Sequence, residues 1–284
     1  KKTNSVKTFK QKYNKNILQW KPKDKGKVLL WAEQGIGDEI IFGSLIPDFY
    51  KKVEKLIVHI DKRLIPLFKR SLNNIDFRDK DEDINEEEYD YQIAMGSVPQ
   101  YLRQDLESFK SSNKCLLKCN KNKSQKFREL LKSKNSEKIV GISWRSGSKS
   151  MNNKSYSLDD FIKNINAPNI KFINLQYGDV KEEIDLIKAK YGIEIKNIEN
   201  VDKFNNIDDL AALIDSCDSI ISIENITAYL AGALGKECHL ILSNNDSCYN
   251  NFEDYKSFWF PSIKLYIQKS YKDNIRILNQ IKCS

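Results

Sequence analysis

Two glycines and a carboxylate, spaced Gly35-Ile-Gly37-Asp38, close a run that begins as apolar sequence: Leu29-Leu-Trp-Ala-Glu-Gln-Gly-Ile-Gly-Asp38. This is the pattern of a strand that breaks into a turn and restarts as a helix. Glycines let the backbone turn tightly and let a ligand come close. The first N–H groups of the helix and the positive end of its dipole suit an anionic or polar ligand. The same residues also make an ordinary turn in which Asp38 caps its own helix, and both readings stand.

A second junction of this kind is Ile139-Val-Gly-Ile-Ser-Trp-Arg-Ser-Gly-Ser-Lys149. A strand there opens into a loop carrying Arg145, Ser146, Gly147 and Lys149, with Lys154 beyond. Hydroxyls, backbone N–H groups and cations at the carboxyl end of a strand fit a diphosphate clamp, and solvated loop charges are the alternative. The third junction runs from Ser219 to Gly235, where Ala228, Ala231, Gly232 and Gly235 let a helix pack close to a sheet. Its N-terminus, near Glu224, Asn225 and Thr227, then faces the space between two halves of the chain. Tight packing alone also accounts for the small residues. Gln176 and Tyr177 end another strand and suit either a donor pocket or sheet-end packing. Gly96 and Ser97, ahead of Pro99, follow the strand Tyr89–Met95 and border the opposite side.

The remaining inventory limits the chemistry. The two histidines, His59 and His239, lie inside apolar strands and read as structural, which argues against a Ser-His-Asp hydrolase or a histidine-rich metal site. A carboxylate base such as Asp38 is the simplest remaining option. A nicotinamide fingerprint would need a third glycine where Ile40 stands. The six cysteines (Cys115, Cys119, Cys217, Cys238, Cys248 and Cys283) are scattered without C-x-x-C spacing and read as reduced thiols.

These junctions need a scaffold, and the pattern supplies one. Apolar runs alternate with helix-period segments, as in parallel sheets with helices on their faces. Strands are expected at Lys27–Ala32, Leu56–Asp61, Ile75–Arg78, Tyr89–Met95 and Cys115–Lys118. In the second half they are expected at Ile139–Trp144, Lys171–Gln176, Ile193–Asn197, Ser219–Ile223 and Cys238–Ser243. Helices are expected at Glu39–Val53, Leu64–Leu72, Ser124–Lys134, Leu158–Asn164, Val180–Lys190, Ile207–Ser216, Ile226–Leu234 and Tyr271–Ile281, with Ser157 and Asp160 spaced as an N-terminal cap. At 284 residues two domains are expected, 1–134 and 135–284, with the last helix packing back on the first. The net charge of +8 comes from Lys spread along the chain and interrupted by acidic stretches, so nucleic acid is not expected as a partner. No apolar run is long enough for a membrane span, and a cytoplasmic location is expected. The first residue is Lys1 rather than Met, which suggests a piece of a longer chain.

Taken in order, six segments resemble a known family. They are Trp31-Ala-Glu-Gln-Gly-Ile-Gly-Asp38, Val140-Gly-Ile-Ser-Trp-Arg-Ser-Gly147, Phe172-Ile-Asn-Leu-Gln-Tyr177, Leu210-Ala-Ala-Leu-Ile214, Leu230-Ala-Gly-Ala-Leu-Gly235 and Trp259-Phe-Pro-Ser262. The set resembles the glycosyltransferase region that follows tetratricopeptide repeats in many bacterial proteins. That region is similar to the ADP-heptose lipopolysaccharide heptosyltransferases of glycosyltransferase family 9 and, more distantly, to the protein O-linked N-acetylglucosamine transferases.

The resemblance implies an α/β fold of the GT-B kind, two Rossmann-like domains with parallel sheets facing across a cleft. It implies inverting sugar transfer from a nucleotide-sugar to a protein or glycan acceptor, with no metal and no cofactor. The second domain would hold the donor, through Arg145, Ser146, Gly147, Lys149, Gln176, Tyr177, Glu224, Asn225 and Thr227. Asp38 would be the general base, with Gly35, Gly37, Gly96 and Ser97 around the acceptor. Two positions depart from the family: Glu224-Asn225 stands where an Asp-Thr pair is expected, and Tyr229 where the His of a His-Leu-Ala stretch is expected.

Overall fold

The computed structural model describes residues 17–110, 115–131, 137–146, 156–165, 168–243, 257–268 and 281. Two sheets organise them. The first holds β1 (Leu18–Gln19), β2 (Lys27–Trp31), β3 (Lys55–Ile60), β4 (Asp76–Asp79) and β5 (Tyr91–Ala94) in the order β1-β5-β2-β3-β4. The second holds β6 (Lys138–Ser143), β7 (Ile170–Asn174), β8 (Ile195–Lys196), β9 (Ser219–Ile223), β10 (Cys238–Ser243) and β11 (Ile263–Gln268) in the order β11-β10-β9-β6-β7-β8. Every strand pairing among the described residues is parallel. Strands covered on both faces read as continuous apolar runs, and β2 and β9 do: Val28, Leu29 and Leu30, and every residue of β9, are buried.

Between and after the first strands come α1 (Ile36–Gly43), α2 (Ile46–Tyr50), α3 (Ile65–Ser71), α4 (Pro99–Leu102), α5 (Glu107–Lys110) and α6 (Lys121–Leu131). The second sheet carries α7 (Leu158–Ile165), α8 (Lys181–Tyr191), α9 (Ile207–Ser216) and α10 (Ile226–Ala233). Ser157 caps α7 as its spacing suggested, accepting the Asp160 N–H at 3.1 Å. The expected final helix, Tyr271–Ile281, lies outside the described residues except at its last position.

Two sequence expectations are corrected. The single helix over Glu39–Val53 is two helices. Ser44 ends α1 by donating its hydroxyl to the Ile41 carbonyl at 2.6 Å, and Pro47, which lacks an N–H, fits the first turn of α2. The strand expected at Cys115–Lys118 does not form. The N–H groups of Leu116 and Leu117 both donate to the Ala233 carbonyl, at 2.9 and 2.8 Å, which ties this segment to the end of α10. From there α6 packs along α9, so residues that precede position 134 rest on the helices of the second sheet.

A single cluster of buried apolar side chains runs through both sheets, from Leu30 and Ile41 to Leu213, Leu230 and Leu240. α1 and α10 pack together within it, and the Phe42 ring meets Trp259 edge-on at 5.8 Å. α10 comes close to the second sheet because Gly232 has no side chain. A Cβ there would sit 2.7 Å from Phe260 Cβ and 2.6 Å from Ile263 Cδ1. Gly232→Ala should therefore cost about 1–3 kcal/mol through overpacking, less the helix propensity that Ala restores. A urea midpoint equal to wild type would show that α10 can shift away from the sheet without penalty.

Candidate functional site

Each sheet reverses its winding at one place. β2 has β3 on one side and β5 on the other, and β6 has β7 and β9. At such a switch point the loops diverge and open a crevice at the carboxyl ends of the strands, where ligands of α/β proteins bind. Of the described residues nominated from sequence, Gly35, Gly37, Asp38, Gly96 and Ser97 lie at the first of these places and Asn225, Thr227, Gln176 and the Arg145 backbone at the second.

At the second switch point Asn225 caps α10. Its Oδ1 accepts the Thr227 N–H at 3.0 Å and the Ser222 hydroxyl at 3.1 Å. Its side-chain amide donates across the switch to Ser143 Oγ at 2.8 Å and to the Arg145 carbonyl at 3.3 Å. The Ser143 hydroxyl donates to Gln176 Oε1 at 3.0 Å, and that oxygen also takes the N–H groups of Trp144 at 3.0 Å and Arg145 at 2.8 Å. Gln176 donates its own N–H to Asn174 Oδ1 at 2.8 Å. Asn174 Nδ2 and Lys203 Nζ both donate to Asn197 Oδ1, at 3.0 and 2.8 Å. A buried polar string thus ties together the carboxyl ends of β9, β6, β7 and β8. At its far end, burial pushes the Lys203 ammonium down to about 8. At its near end the Thr227 hydroxyl is fully buried in the first turn of α10 and has no hydrogen-bond partner among the described residues.

Arg145 is committed elsewhere. Its guanidinium pairs with Glu183 at 2.8 Å and donates to the Asp179 carbonyl at 3.2 Å, while Trp144 Nε1 holds the other Glu183 oxygen at 2.9 Å. The backbone of Arg145, rather than its side chain, takes part in the string. Ser146 is half-buried at the edge of the described segment, and Gly147, Lys149 and Lys154 lie outside it. The Tyr177 ring rests 5.9 Å from Phe204. Phe204 in turn lines an open pocket of about 690 Å³ with Asp61, Lys62, Arg63 and Asn205, at the carboxyl end of β3. The Tyr229 hydroxyl donates to Glu224 at 2.7 Å, so the two departures from the family contact each other.

At the first switch point Asp38 turns back on its own loop, accepting the Gly35 N–H at 3.1 Å, the reverse half of a capping box. Gly35 is extended, with φ −77°, and neither it nor Gly37 has a positive φ, so what these glycines provide is room rather than a special turn. A Cβ on Gly37 would touch the Tyr229 ring at 3.5 Å, which brings the first turn of α1 beside α10. The next residue, Glu39, is fully buried. It pairs with Lys80 at 2.6 Å and accepts the Asp61 N–H at 2.7 Å. Across the switch the Gly96 N–H donates to Glu33 Oε1 at 2.9 Å, and Ser97 follows in the same short turn.

Glu33, Glu183 and Lys203 were not singled out by sequence. Glu33 stood inside a quoted motif, at the carboxyl end of β2, and that position was the available signal. The partners of Glu183 and Lys203 are brought together only by the fold. The histidines are buried in β3 and β10, and burial pushes His239 down to about 4, with its Nδ1 3.0 Å from the Tyr266 hydroxyl. Cys115, Cys119, Cys217 and Cys238 are free thiols, while Cys248 and Cys283 lie outside the described residues.

The fold is that of solved glycosyltransferases. A glycosyl transferase family 9 protein from Veillonella parvula superposes with a TM-score of 0.60 at 12% identity, covering 94% of this chain and 96% of that one. ADP-heptose LPS heptosyltransferase II of E. coli gives 0.54 at 11% identity over 90% and 97% of the two chains. The dodecameric iron-containing glycosyltransferase TibC from enterotoxigenic E. coli gives 0.50 at 11% over 94% and 74%. At this identity the likeness is one of fold. Among curated sequences, Protein FlbA of Caulobacter vibrioides is 28% identical over 276 residues, 89% of this chain and 46% of that protein. The chain therefore spans about half the length of that relative. No family profile matches it. Among the described residues no helix is long and apolar enough to cross a membrane.

Proposed function

We propose that this chain moves a sugar from a nucleotide-sugar to a protein or glycan acceptor in the cytoplasm, with inversion and without a metal. The observation that carries this reading is the N-terminus of α10 at the second switch point, capped by Asn225 and holding the Thr227 hydroxyl, which has no hydrogen-bond partner among the described residues. A helix dipole and a buried hydroxyl beside it suit the diphosphate that must leave when the sugar transfers. Gln176 and Ser143 set the loops around it. The resemblance gives the base role to a carboxylate of the β2–α1 junction, Asp38, with the acceptor between Gly35, Gly37, Gly96 and Ser97. Tetratricopeptide repeats ahead of this region, as in the proteins it resembles, would recruit the acceptor.

A thermal-shift panel of UDP, GDP, ADP, CMP and their sugars, with and without Mg²⁺, tests the donor half of this reading. One nucleotide at a hundred times its dissociation constant should add about 2.7 kcal/mol without Mg²⁺. Thr227→Val separates a ligand group from a packing group. Removing a hydroxyl that has no partner among the described residues should leave folding stability unchanged or slightly raised, while affinity for that nucleotide falls by about tenfold or more. Equal affinity in the variant would remove α10 from the donor site.

A second reading, a catalytically inactive domain that binds nucleotide or a partner protein, is favoured by two contacts: Asp38 closes on its own helix, and Arg145 is held by Glu183. Nucleotide binding without release of nucleoside diphosphate from any sugar in the panel would select it.

A further inference from the structure

Arg145 enters the second switch point by its backbone and leaves it by its side chain. Its N–H donates to Gln176 Oε1 at 2.8 Å, and its carbonyl accepts at 3.3 Å from the Asn225 amide, the side chain that caps α10. The backbone of Arg145 is thereby fixed beside the N-terminus of α10. Its guanidinium turns instead to α8, pairing with Glu183 Oε1 at 2.8 Å and donating to the Asp179 carbonyl at 3.2 Å.

Three features make this pair exchangeable. The guanidinium gives Glu183 one nitrogen rather than a two-pronged grip, since its other contact is to a backbone oxygen. The two side chains are 38% and 32% exposed, so water weakens the attraction between them. Glu183 is also not stranded when Arg145 turns away. Its other oxygen accepts from Trp144 Nε1 at 2.9 Å, and it lies in the first turn of α8, where the helix dipole favours negative charge. Trp144 is fully buried, so this anchor stays in place. A diphosphate at α10, by contrast, offers several anionic oxygens, and a guanidinium can bind two of them at once.

Resting on the nucleotide-sugar reading, we infer that Glu183 is a stand-in for the donor: it holds the Arg145 guanidinium on α8 until the donor diphosphate displaces it. The contact is autoinhibitory, because every donor must first win Arg145 from Glu183. It also favours turnover, since the nucleoside diphosphate left after transfer meets the same competitor and departs more readily. A ligand shifts such an equilibrium only as far as it prefers one arrangement, so a nucleoside without phosphates leaves Arg145 where it is.

Calorimetric titration of ADP, UDP and GDP, and of adenosine, uridine and guanosine, into wild type, Glu183→Gln, Arg145→Gln and the double variant tests this. Gln at position 183 can keep the bond from Trp144, so α8 should hold. Glu183→Gln should tighten the nucleoside diphosphate that binds by about two- to fivefold and leave its nucleoside unchanged. Arg145→Gln should weaken the diphosphate by about tenfold or more, and adding Glu183→Gln to it should then change nothing. Equal or weaker binding by Glu183→Gln, or a tightening that persists without Arg145, overturns the role of Glu183 while leaving donor binding intact. No nucleoside diphosphate bound by wild type overturns both.

A second arm reads the exchange itself. In ¹⁵N NMR the Arg145 side-chain signal should move on saturation with the nucleoside diphosphate and stay in place with the nucleoside. A signal unmoved by the diphosphate also overturns the inference.

Discussion

Gln176→Met is expected to lower stability by about 3–5 kcal/mol, because one side-chain oxygen accepts from three donors that have no alternative acceptor in place. Met fills nearly the same volume, so the loss would come from stranded polar groups rather than from a cavity. The Ser143 hydroxyl and the Trp144 N–H are buried, and leaving each unpaired carries a desolvation penalty of about 1–3 kcal/mol. The consequence reaches the site, since Ser143 is also the acceptor that holds Asn225 across the switch. Urea unfolding measures the stability loss. Hydrogen exchange should show the Trp144 and Arg145 amides opening before those of β6. A loss below about 1 kcal/mol, with those amides still protected, would mean that water or a relaxed loop replaces the amide oxygen and that the string is not what aligns the loops.

How much of this was legible in the sequence depends on the range of the interaction. β2, β6 and β9 could be read because a parallel strand covered on both faces is mostly apolar, and so could the turns that leave them. β11 was missed for the complementary reason. Ile263 and Leu265 are buried while Lys264 is exposed, so this edge strand alternates where continuous runs were sought. β1 spans only Leu18–Gln19, both exposed, and its existence depends on pairing with β5. Leu116 and Leu117 were buried as their types suggest, but by docking on α10 rather than by joining a sheet.

In the site, Asn225 was legible as a polar residue at a helix start, and Asp38 as a carboxylate in a first turn. Whether a charged group serves a ligand or another residue was not legible. Arg145 finds Glu183 on α8, and Glu39 finds Lys80 after β4, through contacts that only the fold creates. Glu33 and Asp38 lie five positions apart and are both acidic. What separates them is the backbone that bonds each one, and sequence carries no record of it.

Lys80→Met should cost about 3–5 kcal/mol at neutral pH, since it leaves the Glu39 carboxylate buried without its cation. The sign of the pH dependence follows from burial, which raises the Glu39 carboxyl above its ordinary value, opposed by the Asp61 N–H and Lys80. A raised carboxyl holds its proton more tightly in the folded chain than in the unfolded one. Its contribution to stability is therefore full below the ordinary glutamate value and is lost as pH rises through the raised one. Removing Lys80 moves that value further up, so the destabilisation of Lys80→Met should shrink on going from pH 7 to pH 5, where a protonated Glu39 needs no partner. Glu39→Gln/Lys80→Met should recover most of the loss at pH 7. Urea unfolding of the four proteins at both pH values closes the cycle. A penalty independent of pH would place its origin in the packing of the lysine stem. The pair also connects the two halves. Glu39 holds the Asp61 N–H, the Asp61 carboxylate grips Arg63 at 2.8 Å, and Arg63 reaches the Phe204 carbonyl beyond β8 at 3.0 Å. Loosening Lys80 thus frees the helix that begins beside Asp38 and weakens a contact to the second sheet, so nucleotide affinity should fall in Lys80→Met and return in the double variant if this linkage sets how the two switch points face each other.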